Sequence, residues 1–381
     1  MNQIFCAAPW RGLHINPRGD VKTCCAGDPN MLGNLNDQSI EQVLHGPIMQ
    51  EIRQTIQSGR LHEQYCYNCI QAERYGRSER DWHNGVNPDF DCQLAGDLEH
   101  VPTLIDVRWN ITCNLSCNYC GDKCSSKWAD LKRIPFRSGT RPYYEQVCDY
   151  LEQHRANIKQ VALVGGEPLL LKENERLLDV IPDDCLVTLI TNLSVDLSTN
   201  KIFQKLSTRT RVGWSCSFDN IGTRFEYVRH GGHWDLICKN INLIKSTTSH
   251  EMGIHAVYNL YNATRLTEFV DWAKQQGLTT QWQSLYDPVC LDPLRLGSTI
   301  KDLAIRELDV VLSRSDLTHG ERGFLTTARN NYEHPHDPVP IAELMEHVDQ
   351  IETCYHPDQK GGFLRLWPEF EPLLNTNYVT S

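Results

Sequence analysis

From residue 103 to residue 285 the chain alternates short apolar runs with longer stretches of helical period. "TLIDVRW" (103–109), "QVALVG" (160–165), "CLVTLITN" (185–192), "RVGWSCSFD" (211–219), "MGIHAVYN" (252–259) and "TTQWQSL" (279–285) have the length and composition of strands. Helical period occupies 142–155, 169–181, 233–246 and 263–276. Strands separated by helices predict a parallel sheet with right-handed crossovers. Six such repeats predict an α/β fold, a partial (β/α)6 TIM-like barrel, with function gathered at the C-terminal ends of its strands.

The flanks are patterned differently. "GLHINPRGDVKTCC" (12–25) predicts a hairpin around a Pro-Arg-Gly-Asp turn. "SIEQVLHGPIMQEIRQTI" (39–56) predicts helix, with Ile48, Ile52 and Ile56 on one face and a break near Pro47. Beyond the last strand, 299–314 and 340–352 read as amphipathic helices. The expected organisation is a small cysteine-rich N-terminal module over 1–98, the barrel over 99–295 and a C-terminal helical extension over 296–381.

A hydrophobic content of 40% supports ordinary folded cores, and a net charge of −11 argues against a broad nucleic-acid or anionic-membrane surface. No apolar run approaches the roughly 20 residues a membrane span needs. The first thirty residues lack the apolar core of a signal peptide, so a reducing, cytoplasmic location is the expectation. Sixteen cysteines are many for such a compartment, where clustered thiols point to metal or catalysis more than to disulfides. Most of them cluster: Cys6, Cys24, Cys25, Cys66 and Cys69 early, then Cys113, Cys117, Cys120 and Cys124.

The polar motifs fall where the fold rule expects chemistry. "CNLSCNYC" follows the first predicted strand, "GGEP" (165–168) the second, "TNLS" (191–194) the third, and "SFDN" (217–220) ends the fourth. Thiolates select zinc, copper(I) or iron–sulfur clusters. Structural zinc prefers four protein ligands, whereas CxxxCxxC supplies three. Three thiolates on a four-iron cluster leave one iron open to an outside ligand. Cys124 could alternatively close the site as a fourth ligand.

Cys113, Cys117, Tyr119 and Cys120 after a first strand resemble the signature loop of the radical S-adenosylmethionine (SAM) superfamily. "GGEP" is similar to its second signature, and "SFDN" with Arg229 to its fourth-strand segment. The resemblance implies that Cys113, Cys117 and Cys120 hold a [4Fe–4S] cluster whose open iron chelates SAM. It implies that Gly165, Gly166, Glu167 and Pro168 serve the SAM ammonium. Ser217 and Arg229 would meet its carboxylate, Asn192 its ribose and Tyr119 its adenine. The implied activity is reductive cleavage of SAM to a 5′-deoxyadenosyl radical that takes hydrogen from a substrate. The electron would come from a donor such as flavodoxin or ferredoxin.

The N-terminal cysteines resemble a SPASM or twitch module, which carries an auxiliary cluster, although such modules usually follow the barrel. Cys6, Cys24, Cys66 and Cys69 are the implied ligands of a second [4Fe–4S] cluster, with Cys25 an alternative to Cys24 and a zinc site an alternative to the cluster. The expected substrate is a peptide or protein side chain, as in peptide maturation. The alternatives are a small-molecule dehydrogenase or dehydratase and, in another class, a noncatalytic iron–sulfur or zinc scaffold. Cys290, near the end of the sixth strand, reads as a packed cysteine or as a hydrogen-atom donor. His230, His233 and the "HPHDP" loop read as surface or structural groups.

Overall fold

A computed structural model describes residues 5–25, 30–74, 79–85, 101–136, 141–285 and 287–372. It falls into two compact units. The first combines Met1–Thr112, Arg137–Leu189 and Thr199–Gly213; the second combines Cys113–Phe136, Ile190–Ser198 and Trp214–Ser381. The expected boundary between residues 98 and 99 lies outside the described residues.

In the first unit the predicted hairpin forms. Gly12–Ile15 pairs antiparallel with Asp20–Lys22, which pairs with Gly33–Asn34. Asn16 Oδ1 closes the turn by accepting the N–H groups of Arg18 and Asp20 at 2.8 and 3.1 Å. The other edge of Gly12–Ile15 runs parallel to Leu104–Val107, so the N-terminal segment is part of the sheet itself. Leu104–Val107 in turn runs parallel to Gln160–Leu163, and that strand to Leu186–Thr191. The helical stretch breaks as expected into Ile40–Leu44 and Pro47–Gln57. Its inner face is Met49, Ile52, Arg53 and Ile56, while Ile48 is only half-buried. The apolar stripe is centred on the three-then-four spacing from Met49, which places its neighbour Ile48 about 100° around the helix. Buried Arg53 is satisfied by the carbonyls of Pro9 and Leu44, at 2.9 to 3.2 Å.

In the second unit Val212–Ser217 borders Glu251–Tyr258, which runs parallel to Thr279–Ser284. These strands alternate strictly. Trp214, Cys216, Ile254, Ala256, Tyr258, Thr280 and Trp282 are buried. Ser215, Ser217, His255, Gln281 and Gln283 occupy the opposite, accessible face. Such period-two burial reflects a strand packed on one side. The helices Trp234–Thr247 and Leu266–Gln275 cover the apolar side of this fold as amphipathic elements.

The C-terminal segment is a structural part of this unit. Helices Ser298–Leu312, His319–Asn331 and Ile341–Asp349 follow the strands. Leu344, Val348, Phe363, Trp367 and Phe370 join Tyr227, Tyr261 and Ile300 in one buried cluster. Glu352 locks the segment, accepting the Tyr227 hydroxyl at 2.8 Å and the backbone N–H groups of Gly361 and Phe363 at 2.6 and 2.7 Å. The His319–Asn331 helix lacks a clear sequence pattern because two glycines dilute it; a Thr318–Glu321 capping box starts it. Among the described residues no helix is long and apolar enough to cross a membrane.

Candidate functional site

The loop bearing Cys113, Cys117 and Cys120 is a turn pinned from several sides. The N–H of Cys113 donates to Ser126 Oγ at 3.1 Å, and that of Cys120 to the Cys117 carbonyl at 2.9 Å. Ser125 Oγ donates to the Leu115 carbonyl at 2.7 Å, and Trp128 Nε1 to the Cys117 carbonyl at 2.9 Å. Ser116–Cys117 pairs antiparallel with Arg229–His230, placing Cys117 directly opposite Arg229. Cys117 is buried, Cys113 and Cys120 are half-buried, and Cys124 is exposed. A hydrogen bond with Cys124, then burial and the nearby Cys117, raise the Cys120 thiol far above its usual range. Cys124 therefore stands beside the loop's third cysteine.

Two donors reach the thiols. Asn192 Nδ2 lies 3.7 Å from Cys113 Sγ and 3.0 Å from Asn114 Oδ1. Arg229 Nη1 lies 3.9 Å from Cys117 Sγ. Arg229 is itself buried and held by Asp219, which accepts from Nε and Nη2 at 3.2 and 3.0 Å. Burial opposes the guanidinium charge, but Asp219, Tyr119 and Cys117 more than offset it, so Arg229 stays a cation. The Tyr119 hydroxyl also donates to Asp219, and its ring lies 5.6 Å from the guanidinium. Burial, first of all, keeps Tyr119 protonated. Ser217 ends its strand half-buried. The second unit thus gathers Cys113, Cys117, Tyr119, Asn192 and Arg229 around one loop.

Sequence reasoning missed what stands behind that loop. His347 Nε2 sits 3.2 Å from the Asn118 carbonyl, and His356 Nε2 lies 3.0 Å from Ser116 Oγ. The rings of His230 and His356 stack at 3.8 Å, and His230 also pairs with Asp358 at 3.1 Å. Burial, then the neighbouring His230, push His356 down to about 4. These residues are single histidines in helical or turn sequence, so no spacing signal announces them. Asp219 is different, because it stands inside the "SFDN" segment. Cys290 is buried in the apolar cluster, and burial pushes its thiol up to about 11.

The "GGEP" turn belongs to the first unit. Gly165 has φ 128°, and a Cβ on Gly166 would stand 2.2 Å from the Thr112 carbonyl oxygen. The glycines therefore let this turn lie against residues 110–112. The Glu167 N–H donates to that same carbonyl at 2.7 Å, and its fully buried side chain accepts the Leu169 N–H at 3.1 Å. Pro168 opens the following turn, and its carbonyl accepts from Asn174 at 2.8 Å.

Also in the first unit, Cys6, Cys24, Cys66 and Cys69 line one cleft together with Thr23, Tyr65, Arg80 and His83. Cys25 is exposed. Burial raises the Cys6 thiol to about 12, with Cys66 and Cys69 adding to it, and raises Cys69 to about 11. Among the described residues no three His, Cys, Asp or Glu side chains meet at a point suited to a single metal ion. The donor chemistry fits iron–sulfur clusters, with four thiols lining the cleft and three on the loop.

Comparison with known proteins bears on the N-terminal thiols first. Residues 6–70 match the SPASM family, an iron–sulfur cluster-binding domain. A stretch of 88 residues is 34% identical to the 7-carboxy-7-deazaguanine synthase of Clostridium acetobutylicum, covering 23% of this chain and 33% of that protein. The chain thus spans about a third of that relative's length. Among solved structures, anSMEcpe with bound AdoMet is 19% identical with a TM-score of 0.41, over 55% of this chain and 59% of that one. SuiB of Streptococcus suis bound to precursor peptide SuiA is 17% identical with a TM-score of 0.39, over 49% of this chain and 40% of that one. What the comparisons show for this chain is a SPASM iron–sulfur segment over residues 6–70.

Proposed function

We propose that this protein is a radical SAM enzyme that takes hydrogen from a peptide or protein side chain, with one open and one closed cluster. The observation that carries the reading is the loop itself: three thiols on one turn, with Arg229 beside Cys117 and Asn192 beside Cys113. When bound there, cluster and SAM supply a 5′-deoxyadenosyl radical. The chain's own residues bind and orient. Cys113, Cys117 and Cys120 hold the cluster. Arg229, kept charged, offers its guanidinium to the SAM carboxylate with Ser217; a planar fork suits that contact. Asn192 serves the ribose and Tyr119 flanks the adenine. The assignment of Gly165, Gly166, Glu167 and Pro168 to the SAM ammonium follows from their motif.

The six predicted strands are read as the partial (β/α)6 barrel of this superfamily, in a cytoplasmic protein. The accessible strand face offers Ser215, His255, Gln281 and Gln283 as hydrogen-bonding groups. Such groups match amide groups of a peptide by hydrogen bonding. Four thiols in the N-terminal cleft leave no ligand position for substrate, which suits electron transfer from a donor such as flavodoxin or ferredoxin. Anaerobic reconstitution tests the proposal: about eight irons per chain, the sum of two four-iron clusters, and release of 5′-deoxyadenosine on reduction with SAM. Full iron loading with no 5′-deoxyadenosine would sink the enzyme reading.

A further inference from the structure

Four hydrogen bonds from three residues converge on Asp219. Its side chain is fully buried just past the Val212–Ser217 strand. Oδ1 accepts the Val257 N–H of the neighbouring strand at 2.7 Å, which fixes the carboxylate to the backbone. Oδ2 accepts the Tyr119 hydroxyl and one edge of the Arg229 guanidinium. That edge-on grip leaves Nη1 directed at Cys117 Sγ, 3.9 Å away. Tyr119 lies between Cys117 and Cys120 in sequence, so the same oxygen holds the cysteine loop and the cation beside it. A guanidinium buried without a partner is strongly unfavourable, and charge interactions are strong where water is excluded.

We propose that Asp219 is the positioning residue of the open-cluster site. It holds Arg229 and Tyr119 in the geometry that receives the SAM carboxylate, and its negative charge offsets the guanidinium beside Cys117. The inference rests on the radical SAM reading given above. Asp219 acts through Arg229 and Tyr119 and does not itself touch SAM. Its charge bears on the cluster as well, because net charge near the thiolates sets reduction potential. Without Asp219 the cation faces Cys117 alone, and an added electron is stabilised.

The test is an EPR-monitored redox titration with SAM-binding measurements on the anaerobically reconstituted full chain. The signal that changes on adding SAM reports the open cluster. Asp219→Asn should keep its iron, move that signal's midpoint potential to a more positive value and weaken SAM binding about tenfold, the equivalent of one charge-assisted contact. Asp219→Glu, with charge kept and reach lengthened, should weaken SAM binding and leave the potential in place. An unmoved potential in a folded Asp219→Asn overturns the proposal, and so does loss of the iron. If the Asn variant does not fold, Tyr119→Phe supplies the reading: lowered SAM affinity at an unmoved potential supports the proposal, and unchanged affinity overturns it. A wild-type chain with no SAM-responsive signal overturns the radical SAM reading and this inference together. A normal wild-type response with silent variants removes this inference alone.

Discussion

Gly166 has no room for a side chain, since a Cβ there would stand 2.2 Å from a backbone oxygen that cannot step aside. Gly166→Ala should therefore destabilise the fold by about 1–3 kcal/mol, the range for overpacking, read as a lowered denaturant midpoint. The cysteines separate at the same scale. Cys117→Ala should abolish SAM cleavage and halve the iron content, to about four per chain, while the auxiliary cluster's signal survives. Loss of both signals would contradict the division of the thiols. The adjacent pair Cys24 and Cys25 lies in a turn just past the Asp20–Lys22 strand. Here Cys24 lines the cleft and Cys25 is exposed. Cys24→Ser should cost the auxiliary cluster and Cys25→Ser should not; iron analysis decides, and the reverse result would reassign the ligand.

At the scale of elements, the C-terminal helices back the cysteine loop. His356 is buried and held neutral, with its value pushed down to about 4 from an ordinary 6.5. The unfolded chain thus binds a proton more readily than the folded one. The stability carried by neutral His356 is complete above pH 6.5 and is lost as pH falls from there through about 4. Urea midpoints measured across that window should fall with pH, and His356→Gln should flatten the fall. An unchanged slope in the variant would mean that another group governs it. Glu352 offers a sharper test, because three donors share its carboxylate. Glu352→Ala leaves them without that acceptor, at about 1–3 kcal/mol for each group left unsatisfied, and should release the C-terminal segment to early proteolysis.

At the scale of the whole molecule, each compact unit carries its own set of thiols. Cys6, Cys24, Cys66 and Cys69 belong to the first; Cys113, Cys117 and Cys120 belong to the second. Loading should be separable. A Cys66→Ser/Cys69→Ser variant should lose the auxiliary cluster and keep a SAM-responsive signal in EPR; loss of that signal would show that the two sites depend on each other.

Much of this was legible in the chain. Strand and helix periods, the break at Pro47, the hairpin turn and the Cys113–Cys120 spacing are local signals, because each depends on residues a few positions apart. Cysteine spacing also set three thiols on the loop apart from the earlier group. Tertiary structure decided the rest. Only folding pairs Gly12–Ile15 with Leu104–Val107, joining the N-terminal segment to the sheet through backbone hydrogen bonds that no side chain encodes. Folding also brings His356 to Ser116 across 240 residues and Asp219 to Tyr119 across 100. Such contacts have no period and no spacing. They exist because burying a polar group requires a partner, and which partner arrives is settled by how the apolar faces pack.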